Sequence, residues 1–253
     1  MNWILKILRA FGYYCTLVLF GLFGLATGLV GLVLMLFPAS PRLEEFLQSI
    51  IRANFSLFLW WTDFAQLWHV RFHGFDQLPA GGMVMVGNHP NLTDAVYLLA
   101  KVRRAICIFK PSIRRNPVLG AAAVKAGYLA SDGGSDLVRA AAEKVAGGNV
   151  LVMFPEGTRT SPGTLLGEMK PGFVLIARTA RVPIQLVHIK SDSVLLGKGV
   201  PWWRCFGLLP GWVHVTLGPR VMVPERCSTV EVAEAVEAWY RNGGSGDLLL
   251  RET

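Results

Sequence analysis

No charged side chain occurs between Ala10 and Pro41. A run of about 30 uncharged residues exceeds the roughly 20 that a membrane-spanning helix needs. Lys6 and Arg9 precede it, as in a signal peptide. It is nevertheless longer than a signal's apolar segment of about 7–15 residues, and no small-residue cleavage site follows. The run reads as a retained anchor, either a tilted helix or a shallow hairpin. Gly21, Gly24, Gly28 and Gly31 fall on one helical face, which either admits close approach of another helix or is the glycine common in membrane helices. Next, Phe46 to Trp68 carries Phe55, Phe58, Trp60, Trp61, Phe64 and Trp68 with few charges. Such rings settle at the lipid headgroup level or pack into a core.

After residue 68 the periodicity changes. His69 to His73 alternates polar and apolar, the mark of a half-buried strand. Gly74 to Gly82 is a loop. Apolar strands are predicted at Met83–Val86, Ala105–Phe109, Val150–Phe154, Val182–Ile189, Val213–Leu217 and Val221–Val223. Helices are predicted at Ala95–Ala100, Val118–Ala126, Leu137–Ala146, Phe173–Thr179 and Thr229–Tyr240, with Ser228 as a cap. A Pro/Trp/Gly-rich excursion, Gly197–Gly211, is a loop or lid. Strands alternating with helices imply an α/β fold: a mixed, largely parallel sheet flanked by helices, with the N-terminal hydrophobic helix or hairpin as membrane anchor.

Composition narrows the partners. The net charge is +8, from 25 Lys and Arg against 17 Asp and Glu. Beside an apolar anchor this favours anionic lipid headgroups. The basic residues are scattered and no nucleic-acid motif occurs, so nucleic acid is not expected. Cys15, Cys107, Cys205 and Cys227 are too dispersed for a zinc pair or a redox motif. His69, His73, His188 and His214 form no cluster with acidic residues in the sequence, so no metal and no cofactor are predicted.

Two loops remain that follow strands and carry chemistry. Asn88-His89-Pro90-Asn91-Leu92-Thr93-Asp94 lies between a strand and a helix. Pro155-Glu156-Gly157-Thr158-Arg159 lies directly after another strand. In a parallel sheet such loops gather at one edge. Histidine titrates near neutrality and can take a proton from a hydroxyl. An aspartate on its far ring nitrogen would fix the tautomer. Neither loop contains a Ser or Cys between the histidine and the aspartate to act as nucleophile. In the second loop Arg159 can grip phosphate bidentately, Gly157 lets backbone come close, and Thr158 offers a hydroxyl. Glu156 is expected to orient Arg159 or an acceptor hydroxyl. Lys110, Arg114 and Arg115, in the basic loop 110–117, are either a third binding element or a solvated surface. Donors to an oxyanion are expected among backbone N–H groups near Asn88 to Pro90 or in that basic loop.

Asn88-His89-x4-Asp94, Phe154-Pro155-Glu156-Gly157-Thr158-Arg159 and Val182-Pro183-Ile184, in this order, resemble the glycerolipid acyltransferase family. Its best-known members are the 1-acylglycerol-3-phosphate acyltransferases. The resemblance covers roughly residues 70–220. It implies direct transfer of an acyl group from acyl-CoA or an acidic acyl-carrier protein to a lipid hydroxyl, with His89 as base and Asp94 as its partner. It also implies that Glu156, Gly157, Thr158 and Arg159 bind the phosphorylated acceptor, and that Lys110, Arg114 and Arg115 serve the acceptor or donor. Residues 1–68 would then be the anchor and interfacial helix, and 69–253 the catalytic domain. The expected place is the cytoplasmic membrane, with the site facing the cytoplasm. The family often has an arginine after the segment matching Gly127-Tyr128-Leu129; here Ala130-Ser131-Asp132 follows. The acceptor therefore stands open between lysophosphatidic acid and another lyso-lipid, glycolipid or amino-lipid. Thioester hydrolysis and non-catalytic lipid binding are the competing functions.

Overall fold

The computed structural model describes residues 3–116, 119–164, 166–246 and 248. Pro117 and Val118, placed by the sequence at the end of the basic loop and the start of a helix, lie outside them.

The chain opens with α1 (Trp3–Leu34), one continuous helix. The shallow hairpin within residues 10–41 is therefore not formed. The chain reverses after Leu34, and Ser40 caps α2 (Pro41–Phe64) by accepting from the Leu43 N–H, with Pro41 as a helix-starting residue. By length and composition α1 is long and apolar enough to cross a membrane.

Strands β1 (Trp68–His73), β2 (Met83–Gly87), β3 (Ala105–Phe109), β4 (Leu129–Ala130), β5 (Val150–Met153), β6 (Ile184–Ser191) and β7 (Gly211–Val221) form one sheet, ordered β1-β7-β6-β2-β5-β3-β4. Only the β6–β7 pairing is antiparallel among them. The central strand β2 pairs with β5 and β6, and Met83 to Val86 have no exposed surface. A strand covered on both faces is apolar at every position, which is why its sequence does not alternate.

Helices connect the parallel strands and cover the two faces. α3 (Asp94–Lys101) follows β2, α4 (Gly120–Lys125) follows β3, α5 (Gly134–Ala146) precedes β5, and α6 (Gly172–Ala180) precedes β6. α7 (Thr229–Arg241) closes the chain with the capping box Ser228/Glu231. Met83, Met85, Val152, Val187 and Val213 face one core shared with α3 and with Tyr13 of α1. Val84, Val86, Leu151, Ile184 and Leu186 face a second core built with α5, α6 and α7.

Two late strands were expected where one long strand, β7, is found. Gly218 and Pro219 read as a break, yet the chain only bulges there against β6. The Gln185 side chain donates to Gly218 O at 2.7 Å, supplying a partner that the bulge removes from the ladder. A Cβ at Gly218 would lie 2.6 Å from the Trp239 ring, so glycine lets α7 seat on the sheet.

The glycine face of α1 is used unevenly. A Cβ at Gly31 would lie 2.6 Å from Ala122 N, so here α1 touches the backbone of α4. Gly21 has nothing within 4 Å. The aromatic band divides too: Trp60 and Phe64 are exposed, while Trp68 is buried and Phe55 packs on the core.

Candidate active site

β2 ends by handing its ladder to a side chain. Asn88 Oδ1 accepts from the Ile189 N–H at 2.7 Å and Nδ2 donates to Ile189 O at 2.8 Å. This amide pair continues the β2–β6 pairing one step past Gly87 and fixes the direction in which the chain leaves the sheet. Gly87 leaves space for the Phe154 ring, which would sit 3.2 Å from a Cβ there. Phe154 in turn stacks on the His89 imidazole at 4.3 Å between centroids.

His89 Nδ1 lies 2.8 Å from Asp94 Oδ2. The same oxygen accepts from the Asn91 N–H at 2.7 Å. A carboxylate acceptor assigns the Nδ1 position the proton and leaves Nε2 with its lone pair. Asp94, the first residue of α3, is fully buried. Burial pushes its pKa up to about 6, against the lowering effect of the His89 hydrogen bond and charge. The His89 side chain keeps 18% of its surface exposed, so its ring remains within reach of a substrate.

The second loop is wired to the first through Glu156. Its Oε1 accepts from the His89 N–H at 2.9 Å, and its Oε2 accepts from the Gly167 N–H at 2.7 Å. Thr160 Oγ1 lies 2.9 and 3.0 Å from the two oxygens. Thr160 N–H also donates to His89 O at 2.8 Å. The expectation that Glu156 orients Arg159 or an acceptor hydroxyl is thus corrected: this buried carboxylate positions the His89 backbone. Two of the oxyanion donors expected near Asn88 to Pro90 are removed with it; the N–H groups of the basic loop are not affected. The His89 N–H is taken by Glu156, and Pro90 has no N–H to offer.

Arg159 Nη1 donates to Leu196 O at 3.0 Å and Gly197 O at 2.9 Å. Leu92 N–H donates to the same Leu196 carbonyl, and Asn91 pairs with Gly197 in an isolated bridge. The 194–200 segment is thereby strapped to both motif loops. Gly157 has φ +65, the left-handed turn that glycine tolerates, and Gly157 and Thr158 are exposed.

Lys110 follows β3 in register. Val86 pairs with Met153 and Cys107 with Val152, so Asn88, Pro155 and Lys110 fall in one row across three parallel strands. Two strand spacings put the Lys110 backbone about 10 Å from Asn88. Arg114 and Arg115 sit in the following 3₁₀ turn, Pro111–Arg115. All three cations are exposed and make no described contact with His89, Glu156 or Arg159.

Thr160, Gly167, Leu196 and Gly197 were missed from the sequence. Their roles are backbone carbonyls, an N–H and a hydroxyl, which no residue pattern announces. Among the described residues no three His, Cys, Asp or Glu side chains gather as a metal would require.

Two cavities meet this loop system, and a third adjoins one of them. An apolar one of about 270 Å³ lies between α1, α2 and α3, lined by Leu17, Phe58, Leu92, Thr93, Val96 and Tyr97 among others. A second, of about 160 Å³, runs past Phe20, Phe55, Phe109 and Ile113. Phe20 and Phe58 line both. A polar one of about 650 Å³ opens on the other side, lined by Asn88, Pro90 and Asn91. Residues 88–93 are therefore a wall between an apolar and a polar space.

Residues 69–190 match the family model described as Acyltransferase. A 1-acyl-sn-glycerol-3-phosphate acyltransferase of Helicobacter pylori is 32% identical over 142 residues, covering 53% of this chain and 60% of that protein. The crystal structure of the 1-acyl-sn-glycerophosphate (LPA) acyltransferase PlsC from Thermotoga maritima shares the fold. Its TM-score is 0.73, over 96% of this chain and 97% of that one, at 22% identity.

Proposed function

We propose that this chain, whose residues 69–190 match the Acyltransferase family model, moves a fatty acyl group from a thioester to a lipid hydroxyl. The observation that carries the reading is the His89–Asp94 hydrogen bond, which leaves the Nε2 lone pair free on a turn whose Leu92 and Thr93 line an apolar cavity. Nε2 removes the proton from the acceptor hydroxyl as its oxygen attacks the thioester carbon. Asp94 stabilises the imidazolium that forms. The tetrahedral oxyanion collapses, the C–S bond breaks, and Nε2 returns its proton to the leaving sulfur, which departs as the free thiol and restores the neutral imidazole. A positioned base of this kind supplies about 10²–10⁴ in rate.

The donor is acyl-CoA or an acyl-carrier protein. The acceptor is a phosphorylated lyso-lipid, 1-acylglycerol-3-phosphate first, which the name of the Helicobacter pylori relative favours. One Arg159 nitrogen holds the 196–197 carbonyls; its guanidinium has further N–H groups for phosphate. Lys110, Arg114 and Arg115, at the same sheet edge, add positive charge. The apolar cavities of α1, α2 and α3 receive an acyl chain.

In this reading residues 1–68 anchor the protein and 69–253 carry the chemistry. α1 presents exposed Leu8, Phe11, Val18, Leu22, Leu25 and Leu29, next to exposed Trp202 and Trp203. Its other side is held by the domain itself. Tyr13 and Tyr14 donate to the Trp202 and Trp203 carbonyls, and Gly31 touches Ala122. Those contacts span 18 residues, about 27 Å of helix. A helix bound to its domain over that length lies with it in one leaflet. Thioester donors are soluble on the cytoplasmic side, so the site faces there.

Purified protein, a labelled acyl thioester and a panel of lyso-lipids test the reading. His89→Ala is expected to lower acyl-lipid formation by about 10²–10⁴. Unchanged product formation by that variant would sink the general-base assignment. Release of free fatty acid without dependence on an acceptor would favour hydrolysis instead.

A further inference from the structure

The polar cavity of about 650 Å³ has no part in the proton transfer just described. Its walls come from four places: the 88–91 turn, the 160–164 turn, the end of β6 with the 193–200 segment, and the end of α7 at Tyr240 and Gly243. Two lysines, Lys190 and Lys198, and one histidine, His188, line it, and no aspartate or glutamate does. Neither lysine forms an ion pair among the described residues. Lys198 Nζ lies 3.0 Å from Ser161 Oγ, a neutral partner that steadies the ammonium without neutralising it. Asn91, also in the wall and 1% exposed, carries a buried Nδ2 donor with no partner. Donors and positive charge without a counter-charge make an anion site.

The placement says which anion. The cavity shares Asn88, Pro90 and Asn91 with the His89 turn, so a group lodged there lies against the turn that carries His89. It lies on the β6 side of that turn, whereas Lys110, Arg114 and Arg115 follow β3, two strands away on the other side. The turn thus separates Lys190 and Lys198 from those three cations, and Arg159, held at the 196–197 carbonyls, is not in the lining of this cavity. A two-substrate reaction whose donor and acceptor both carry phosphate requires such a separation.

Building on the acyl-transfer reading, we propose that Lys190, Lys198, Ser161 and Asn91 form the subsite for the phosphate at the end of the donor's pantetheine arm. That phosphate is a phosphoanhydride in the coenzyme and a phosphodiester in a carrier protein, and the subsite takes either. The thioester then reaches His89 from the polar side while the acyl chain passes over the 88–93 wall into the apolar cavities.

Calorimetric titration of the detergent-solubilised full chain tests this without turnover. Coenzyme A and holo-carrier protein are titrated separately, and lysophosphatidic acid serves as the acceptor arm. The double variant Lys190→Glu/Lys198→Glu is expected to weaken binding of whichever donor form the parent binds by about tenfold or more. Acceptor binding is expected to stay within twofold, as is donor binding in the exposed-charge control Arg226→Glu. If the double variant loses its circular dichroism spectrum, Lys198→Met alone is used, with the same signs and a smaller loss. Loss of acceptor binding with donor binding intact would overturn the proposal, as would no change in either, or no donor binding by the parent. Lysine-dependent donor binding in a parent that transfers no acyl group would instead leave the subsite standing and remove the acyl-transfer reading.

Discussion

Asp94 sets the pH behaviour of the site. Its folded pKa of about 6 lies above the unfolded value of about 3.9, so folding disfavours the ionised carboxylate. Stability from this group is complete below pH ~4 and is lost as pH rises through 6. A shift of roughly two units corresponds to about 3 kcal/mol, missing at pH 8. Asp94→Asn removes that ionisation. Its melting temperature relative to the parent is expected to improve between pH 4 and pH 8, while acyl transfer falls by about 10²–10⁴, as when the partner of a catalytic histidine loses its charge. A constant stability difference across that range would contradict the buried-charge account. The parent's rate is expected to drop below pH 6 as Asp94 protonates. Glu156 behaves differently. Glu156→Ala strands the His89 and Gly167 N–H groups and the Thr160 hydroxyl, at about 1–3 kcal/mol for each that stays dry. Both the melting temperature and kcat are expected to fall, whereas a role confined to substrate binding would move only KM. At this scale the sequence was informative about His89 and Asp94 because side-chain chemistry is written in residue types. It misread Glu156, because its partners are backbone N–H groups whose positions depend on tertiary structure.

The elements were legible wherever one physical cause dominated. β2 is apolar throughout because it is central, and α7 announces itself by its Ser228/Glu231 box. β4 was illegible because two residues in an edge pairing leave no period to read. β7 was split because glycine and proline ordinarily stop a strand, and only the distant Gln185 amide lets it continue. The α1–α4 contact offers a test at this scale. Gly31→Leu places side-chain atoms where Ala122 backbone already lies, so about 1–3 kcal/mol of destabilisation is expected. Faster amide hydrogen exchange in α4 would report it. Gly21→Leu, with open space around it, is the matched control and is expected to leave exchange unaltered.

For the whole molecule, α1 is a wall of the folded core as well as the proposed attachment to lipid: Tyr13 belongs to the same core as Met83 and Val152. Composition showed the apolar length of α1 but not which side packs on protein, since the exposed and packed faces are both apolar. Replacing exposed Leu22, Leu25 and Leu29 by Gln is expected to reduce co-sedimentation with phospholipid vesicles by at least tenfold, each buried leucine contributing about 1.5–3 kcal/mol. Unchanged sedimentation would assign binding to Trp60, Phe64, Trp202 and Trp203. The Glu156 junction has a consequence for inheritance. His89 and Asp94 sit on one segment and the carboxylate that holds the His89 backbone in place on another, so neither segment is a portable module. A chimera that imports residues 87–94 from a distant relative must import residues 154–167 as well, and mutations in the two are expected to be tolerated in pairs rather than singly.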